Sequence, residues 1–150
     1  MRAEPETHIA RARADVFDYI SNGQRLPEYV SDFASVRQRS TGAAGPGTEY
    51  AYKLERGAEG TFRWSEFERP SRLAWEGPAV KAGPGSTMAP AGYWELHEEG
   101  HSTRVKLAMT PRAGGLFKLL GPLMSLRTRR ENAQALSRLK ARLEGTTPTT

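Results

Sequence analysis

The stretch Leu123-Met124-Ser125-Leu126-Arg127-Thr128-Arg129-Arg130-Glu131-Asn132-Ala133-Gln134-Ala135-Leu136-Ser137-Arg138-Leu139-Lys140-Ala141-Arg142-Leu143-Glu144 decides the fold. Leu123, Leu126, Ala133, Leu136, Leu139 and Leu143 recur at helical spacing, and the basic residues fall mostly on the complementary surface. As one helix the stretch is about 33 Å long at a rise of about 1.5 Å per residue. Gly121-Pro122 precede it, Gly145 can terminate it, and Thr146 to Thr150 read as a frayed tail. An apolar stripe of this length needs a partner surface, and the upstream chain offers strands.

Thr103 to Met109 alternates cleanly: Val105, Leu107 and Met109 share one face, and Arg104, Lys106 and Ala108 the other. Tyr93 to His97 precedes it across a Glu99-Gly100 turn. Further upstream, Glu49 to Leu54 sets Tyr50, Tyr52 and Leu54 on one face, and Phe33 to Arg39, Thr61 to Arg69 and Arg72 to Glu76 read as further strands. Before them lie a short strand over Thr7 to Ala12, a helix over Ala14 to Ile20, and a second short helix through Leu26, Tyr29 and Val30. Asn22-Gly23 separates the helices, since both residues tolerate positive φ. Gly77 to Gly92, rich in Gly and Pro, reads equally as a mobile lid or a long irregular connection. The order implies one α+β domain over 1–150, with a core of about 5–144.

The 150 residues hold 22 Lys or Arg against 17 Asp or Glu, a formal net charge of +5. The excess is local: residues 1–111 sum to −1, and residues 112–150 to +6. With no cysteine, a disulfide framework and a thiolate metal site are both excluded. No stretch approaches the roughly 20 apolar residues that span a bilayer, and the first nine residues lack a signal-peptide core, so a cytoplasmic location is expected.

Ile9 to Ile20, Glu66 to Trp75, Gly92 to Leu96, Ser102 to Val105 and Leu136 to Glu144 together resemble the START-like superfamily, specifically the polyketide cyclase/dehydrase and lipid-transport group, over roughly residues 5–144. The resemblance implies a helix-grip fold: a curved antiparallel sheet wrapped around the long C-terminal helix, with an apolar cavity between them. It implies no cofactor. The group includes aromatases, cyclases and hydrophobic-ligand carriers, so shape is constrained far more than reaction.

Six aromatic residues are candidates for the cavity lining or for ordinary core packing: Tyr50, Tyr52, Trp64, Trp75, Tyr93 and Trp94. Glu66 is the candidate acid or base and also a candidate ligand-orienting carboxylate, because simple alternation aligns it with Phe62 and Trp64, where desolvation would favour its protonated form. The alternative is an outward Glu66 paired with an arginine. Arg63 belongs to the opposite face unless a bulge intervenes. His97 reads as an exposed edge residue, and His8, His97, His101 and Glu99 make no metal box. Gly83-Pro84-Gly85 lacks the Lys-Ser or Lys-Thr of a phosphate loop.

Arg127 to Arg130 reads as a solvated helical face, with weak contact to an anionic membrane as the alternative and no specific nucleic-acid recognition. The leading expectation is binding of a small hydrophobic cyclic or polyketide-like molecule in an internal cavity. The competing ones are a polyketide aromatase or cyclase working by proton transfer, and a lipid or quinone carrier.

Overall fold

The computed structural model describes residues 5–115 and 121–145. The expectations placed on Leu123, Leu126, Arg127 and Thr128 concern side chains outside that description, and the expected tail from Thr146 also lies outside the described residues. The chain opens with β1 (Glu6–Ile9), α1 (Arg13–Ile20) and a 3-10 helix (Gly23–Glu28). Then come β2 (Phe33–Gln38), β3 (Glu49–Leu54), β4 (Glu59–Glu68), β5 (Arg72–Glu76), β6 (Val80–Gly83), β7 (Ser86–Ala89), β8 (Ala91–Glu99), β9 (Ser102–Met109) and β10 (Arg112–Gly115). The helix α2 (Gly121–Glu144) completes the order.

Seven strands form one antiparallel sheet in the order β1-β9-β8-β5-β4-β3-β2. The architecture is α+β, but the expected curved sheet wrapped around the helix is corrected. The sheet is open, with β1 and β2 at opposite edges, and α2 packs chiefly on β1 and β9 at one end. A second sheet, β10-β7-β6, takes the segment read as a lid or loop. Prolines accompany each passage between the sheets: Pro78 between β5 and β6, Pro90 between β7 and β8, and Pro111 between β9 and β10. A proline has no amide hydrogen to continue a ladder, so the long strands break there and restart in the second sheet. Between β6 and β7, Gly85 supplies the positive φ of the hairpin turn.

The core joins α1, the inner face of the large sheet and α2. Val16, Phe17 and Ile20 come from α1, and Leu73, Leu96, Val105 and Leu107 from the sheet. Asn132, Ala135, Leu136, Leu139 and Leu143 are the buried stripe of α2, whereas Ala133, expected in that stripe, is exposed. The end of α2 is latched to β1. Glu144 accepts from the Ala10 amide at 2.9 Å, Lys140 donates to the His8 carbonyl at 2.5 Å, and Arg11 donates to the Leu143 carbonyl at 2.8 Å. Gly145 comes next with φ of 69°, the left-handed conformation that ends a helix.

Two local expectations change at the second helix. It is a 3-10 segment with Pro27 inside it, capped by the Asn22 side chain, which accepts from the Gln24 amide at 3.2 Å. Gly23 is needed there for space and not for positive φ: a Cβ on it would lie 2.8 Å from the Tyr50 ring.

Candidate functional site

A cavity of about 190 Å³ lies between the large sheet, the small sheet and α2. Its buried part is aromatic and aliphatic: Tyr52, Phe62, Trp64, Trp94 and Leu107 reach it from the large sheet. Trp75 and Met109 extend this wall, Leu26 and Val30 close one side, and Val80 and Met88 cover it from the small sheet. All three tryptophans of the chain therefore line one cavity. An engineered apolar cavity of about 150 Å³ is large enough to hold benzene, so this one has room for a ring-sized body.

Two strand glycines shape the wall. Gly92 on β8 pairs with Trp75 on β5, and a Cβ on Gly92 would lie 2.3 Å from the indole and 2.6 Å from the Ala108 carbonyl oxygen. Gly60 on β4 pairs with Tyr52 on β3, and a Cβ there would lie 2.4 Å from the Tyr52 hydroxyl and 2.9 Å from Val80. In each pair the aromatic side chain occupies space that a Cβ would take. These glycines carry no chemical signature in the sequence; only cross-strand register reveals their role.

Trp64 is fixed by its polar edge. Its indole N–H donates to the Ser21 carbonyl at 3.1 Å, and the Tyr50 hydroxyl donates to the same oxygen at 3.2 Å. Tyr50 stacks on Phe62 at 5.1 Å between ring centroids and is fully buried beside the cavity, outside its wall. Tyr52 lines the wall, and burial raises its phenol above the ordinary value, an effect opposed by the positive charge of Arg56.

Glu66 and Tyr93 lie on the other face of the sheet. Trp64 pairs with Trp75, but Glu66 pairs with Ala74, so a β-bulge at Ser65 absorbs one residue and reverses the facing of the rest of the strand. Phe67, not Glu66, then rejoins the core, packing edge-on to Phe17 at 5.1 Å. Arg72 holds Glu66 at 2.6 Å and Glu95 at 3.1 Å and lies over the Tyr93 ring at 4.5 Å. The alignment expected from simple alternation is thus corrected: Glu66 is an exposed, ion-paired carboxylate. Arg63, likewise on the outer face, pairs with Glu76. His97 is exposed on that face, 3.6 Å from Glu95, and His8 pairs with Glu99 at 2.7 Å.

The polar lining gathers at the mouth. Ser31, Asp32 and Arg56 come from turns, while Glu131, Gln134 and Arg138 lie along one flank of α2 beside its buried stripe. None of these mouth residues was singled out from the sequence, where each reads as ordinary surface. Chemically, the site offers an apolar, largely aromatic floor and a set of charged and amide groups at the entrance.

The sequence profile of the polyketide cyclase/dehydrase and lipid transport family matches residues 2–144. The chain belongs to that family. Membership places it in the START-like superfamily, whose fold is suited to holding a small hydrophobic ligand internally. Similar solved structures include TTHA0849 from Thermus thermophilus, at 18% identity and TM-score 0.73, covering 97% of this chain and 98% of that one. A START superfamily protein from Mycobacterium smegmatis is 12% identical with TM-score 0.70, covering 97% and 98%. The di-domain ARO/CYC BexL from the BE-7585A biosynthetic pathway is 19% identical with TM-score 0.66; the match covers 99% of this chain and 48% of BexL. At these identities the likeness is one of fold. No curated protein matches the chain. Among the described residues no helix is long and apolar enough to cross a membrane.

Proposed function

We propose that the protein reversibly binds a small, largely apolar, ring-bearing molecule of cyclic or polyketide-like type. The observation that carries this reading is the convergence of Trp64, Trp75 and Trp94 on one cavity, joined by Tyr52 and Phe62. Aromatic walls supply apolar area and ring-face contacts with little side-chain entropy to lose on binding. A carrier needs such shape and exclusion of water, and the floor offers both.

Catalysis as an aromatase or cyclase is the second reading, favoured by the likeness to an ARO/CYC domain. It needs a proton donor or acceptor against the ligand. Glu66 is held on the far face by Arg72, which leaves the Tyr52 hydroxyl as the titratable group among the buried lining residues. Extraction of small molecules from the purified protein, followed by mass spectrometry, tests the choice. A carrier releases an apolar cyclic compound that rebinds unchanged. A compound converted on rebinding, with conversion lost in Y52F, would replace the carrier by the cyclase. Failure to extract or rebind any apolar compound would remove both.

A further inference from the structure

Two arginines at the mouth of the cavity stand without an acidic partner among the described residues. Arg39, Arg63, Arg69, Arg72, Arg104 and Arg142 each hold a carboxylate within ion-pair distance. Arg56 and Arg138 do not, and among the exposed arginines that share this state they are the two that line the cavity. Both are exposed, both line the mouth, and neither has a carboxylate within 4.0 Å among the described residues. They come from different elements, Arg56 from the turn after β3 and Arg138 from α2.

The other donors at this site point to the same chemistry. Tyr52 carries a hydroxyl into the wall next to Arg56, and Gln134 brings an amide one turn before Arg138 on the helix. Two acids share the mouth, Asp32 and Glu131, so the formal charge of these four ionised side chains cancels. Attraction for a ligand therefore comes from direct guanidinium contact, not from a net field. A planar fork of N–H donors matches a carboxylate in bidentate fashion, and such charge-assisted bonds are stronger than neutral ones.

We propose that the occupant is amphiphilic, with an apolar ring-sized body on the tryptophan floor and a carboxylate-like anionic group at the mouth, held by Arg56 and Arg138. This rests on the reading of the cavity as a hydrophobic-ligand site and names the chemical class of its ligand. The body fills the space under Val80 and Met88, and the charged end stays where water still reaches it. Burying that end deeper would cost desolvation that no cation in the described wall offsets.

The test uses three probes of nearly one shape: 2-naphthoate, neutral 2-naphthamide and 2-methylnaphthalene. Their affinities are measured by calorimetry at pH 7 on the wild type, R56Q, R138Q and D32N, with thermal melts to establish that each variant is folded. The wild type is expected to bind the acid about three- to tenfold more tightly than the amide, in keeping with an exposed charge pair. That ratio should fall toward one in R56Q and in R138Q and rise in D32N, where an opposing carboxylate is removed. A wild-type ratio at or below one, or a ratio unchanged in both arginine variants while 2-methylnaphthalene still binds, overturns the anionic class and leaves the apolar cavity standing. Absence of binding by all three probes overturns the cavity reading together with the proposal.

Discussion

Trp64 and Glu66 lie on opposite faces of the sheet although Ser65 alone separates them. The bulge between them decides which of the two meets the cavity: Trp64 pairs with Trp75 on the inner side, and Glu66 with Ala74 on the outer. A ligand in the cavity should therefore sense one residue and ignore the other. E66Q is expected to leave the affinity for 2-methylnaphthalene within twofold of wild type, since Arg72 retains Glu95. W64A should weaken it at least tenfold and also cost roughly 3–5 kcal/mol of stability. W64F, which keeps a ring but loses the hydrogen bond to Ser21, separates the two effects in calorimetry combined with denaturant melts.

Leu136 is 2% exposed in the buried stripe of α2. Leu136→Ala should cost roughly 2–5 kcal/mol, the transfer term plus the partly unfilled volume. A urea melt of the purified variant reads this directly, and a loss below about 0.5 kcal/mol would contradict tight packing of the helix on the sheet.

Gly92→Ala tests the wall from behind. The new methyl meets the Trp75 ring and the Ala108 carbonyl oxygen; the ring can swing toward the cavity, but the backbone cannot. The expected result is destabilisation of about 1–3 kcal/mol from overpacking, together with weaker binding of ring-sized probes. Melts and calorimetry on one preparation read both.

Acid should loosen the latch between α2 and β1. The Glu144 carboxyl is held below its ordinary value, first by the hydrogen bond from Lys140 and then by the Ala10 amide. A depressed carboxylate adds stability at pH values above its unfolded pKa of about 4 and loses it as pH falls through the lower folded value. The partner Lys140 has a partly exposed side chain, so water screens the pair and the contribution is no more than about 1 kcal/mol. The stability gap between wild type and E144Q should be present at pH 7 and shrink toward zero near pH 3. A gap unchanged with pH would show that ionisation of Glu144 plays no part in the latch.

The helix and the strand faces were legible because burial leaves a period in the sequence. The leucines at 136, 139 and 143 mark the inner side of α2, and Tyr50, Tyr52 and Leu54 that of β3. A bulge leaves no such trace: one extra residue at Ser65 reversed the facing of Glu66 while the local composition still read as alternation. The prolines at 78 and 90 announced breaks, yet nothing local says that the broken strands pair into a second sheet and roof a cavity. The open sheet results from long-range pairing. The coverage of Gly92 by Trp75 and the placement of Arg56 and Arg138 at one mouth likewise depend on contacts between distant parts of the chain.

The central claim is that a ring-sized apolar molecule enters the space under Val80 and Met88. It is tested most directly by a methyl NMR titration of protein labelled at the methionine methyl groups, with 2-methylnaphthalene as ligand. Met88 and Met109 line the cavity from the two sheets, so both methyl resonances should shift upfield together by ring-current effects and saturate at one dissociation constant. Saturable binding seen by calorimetry while both resonances stay in place, or no binding at all, would contradict the account.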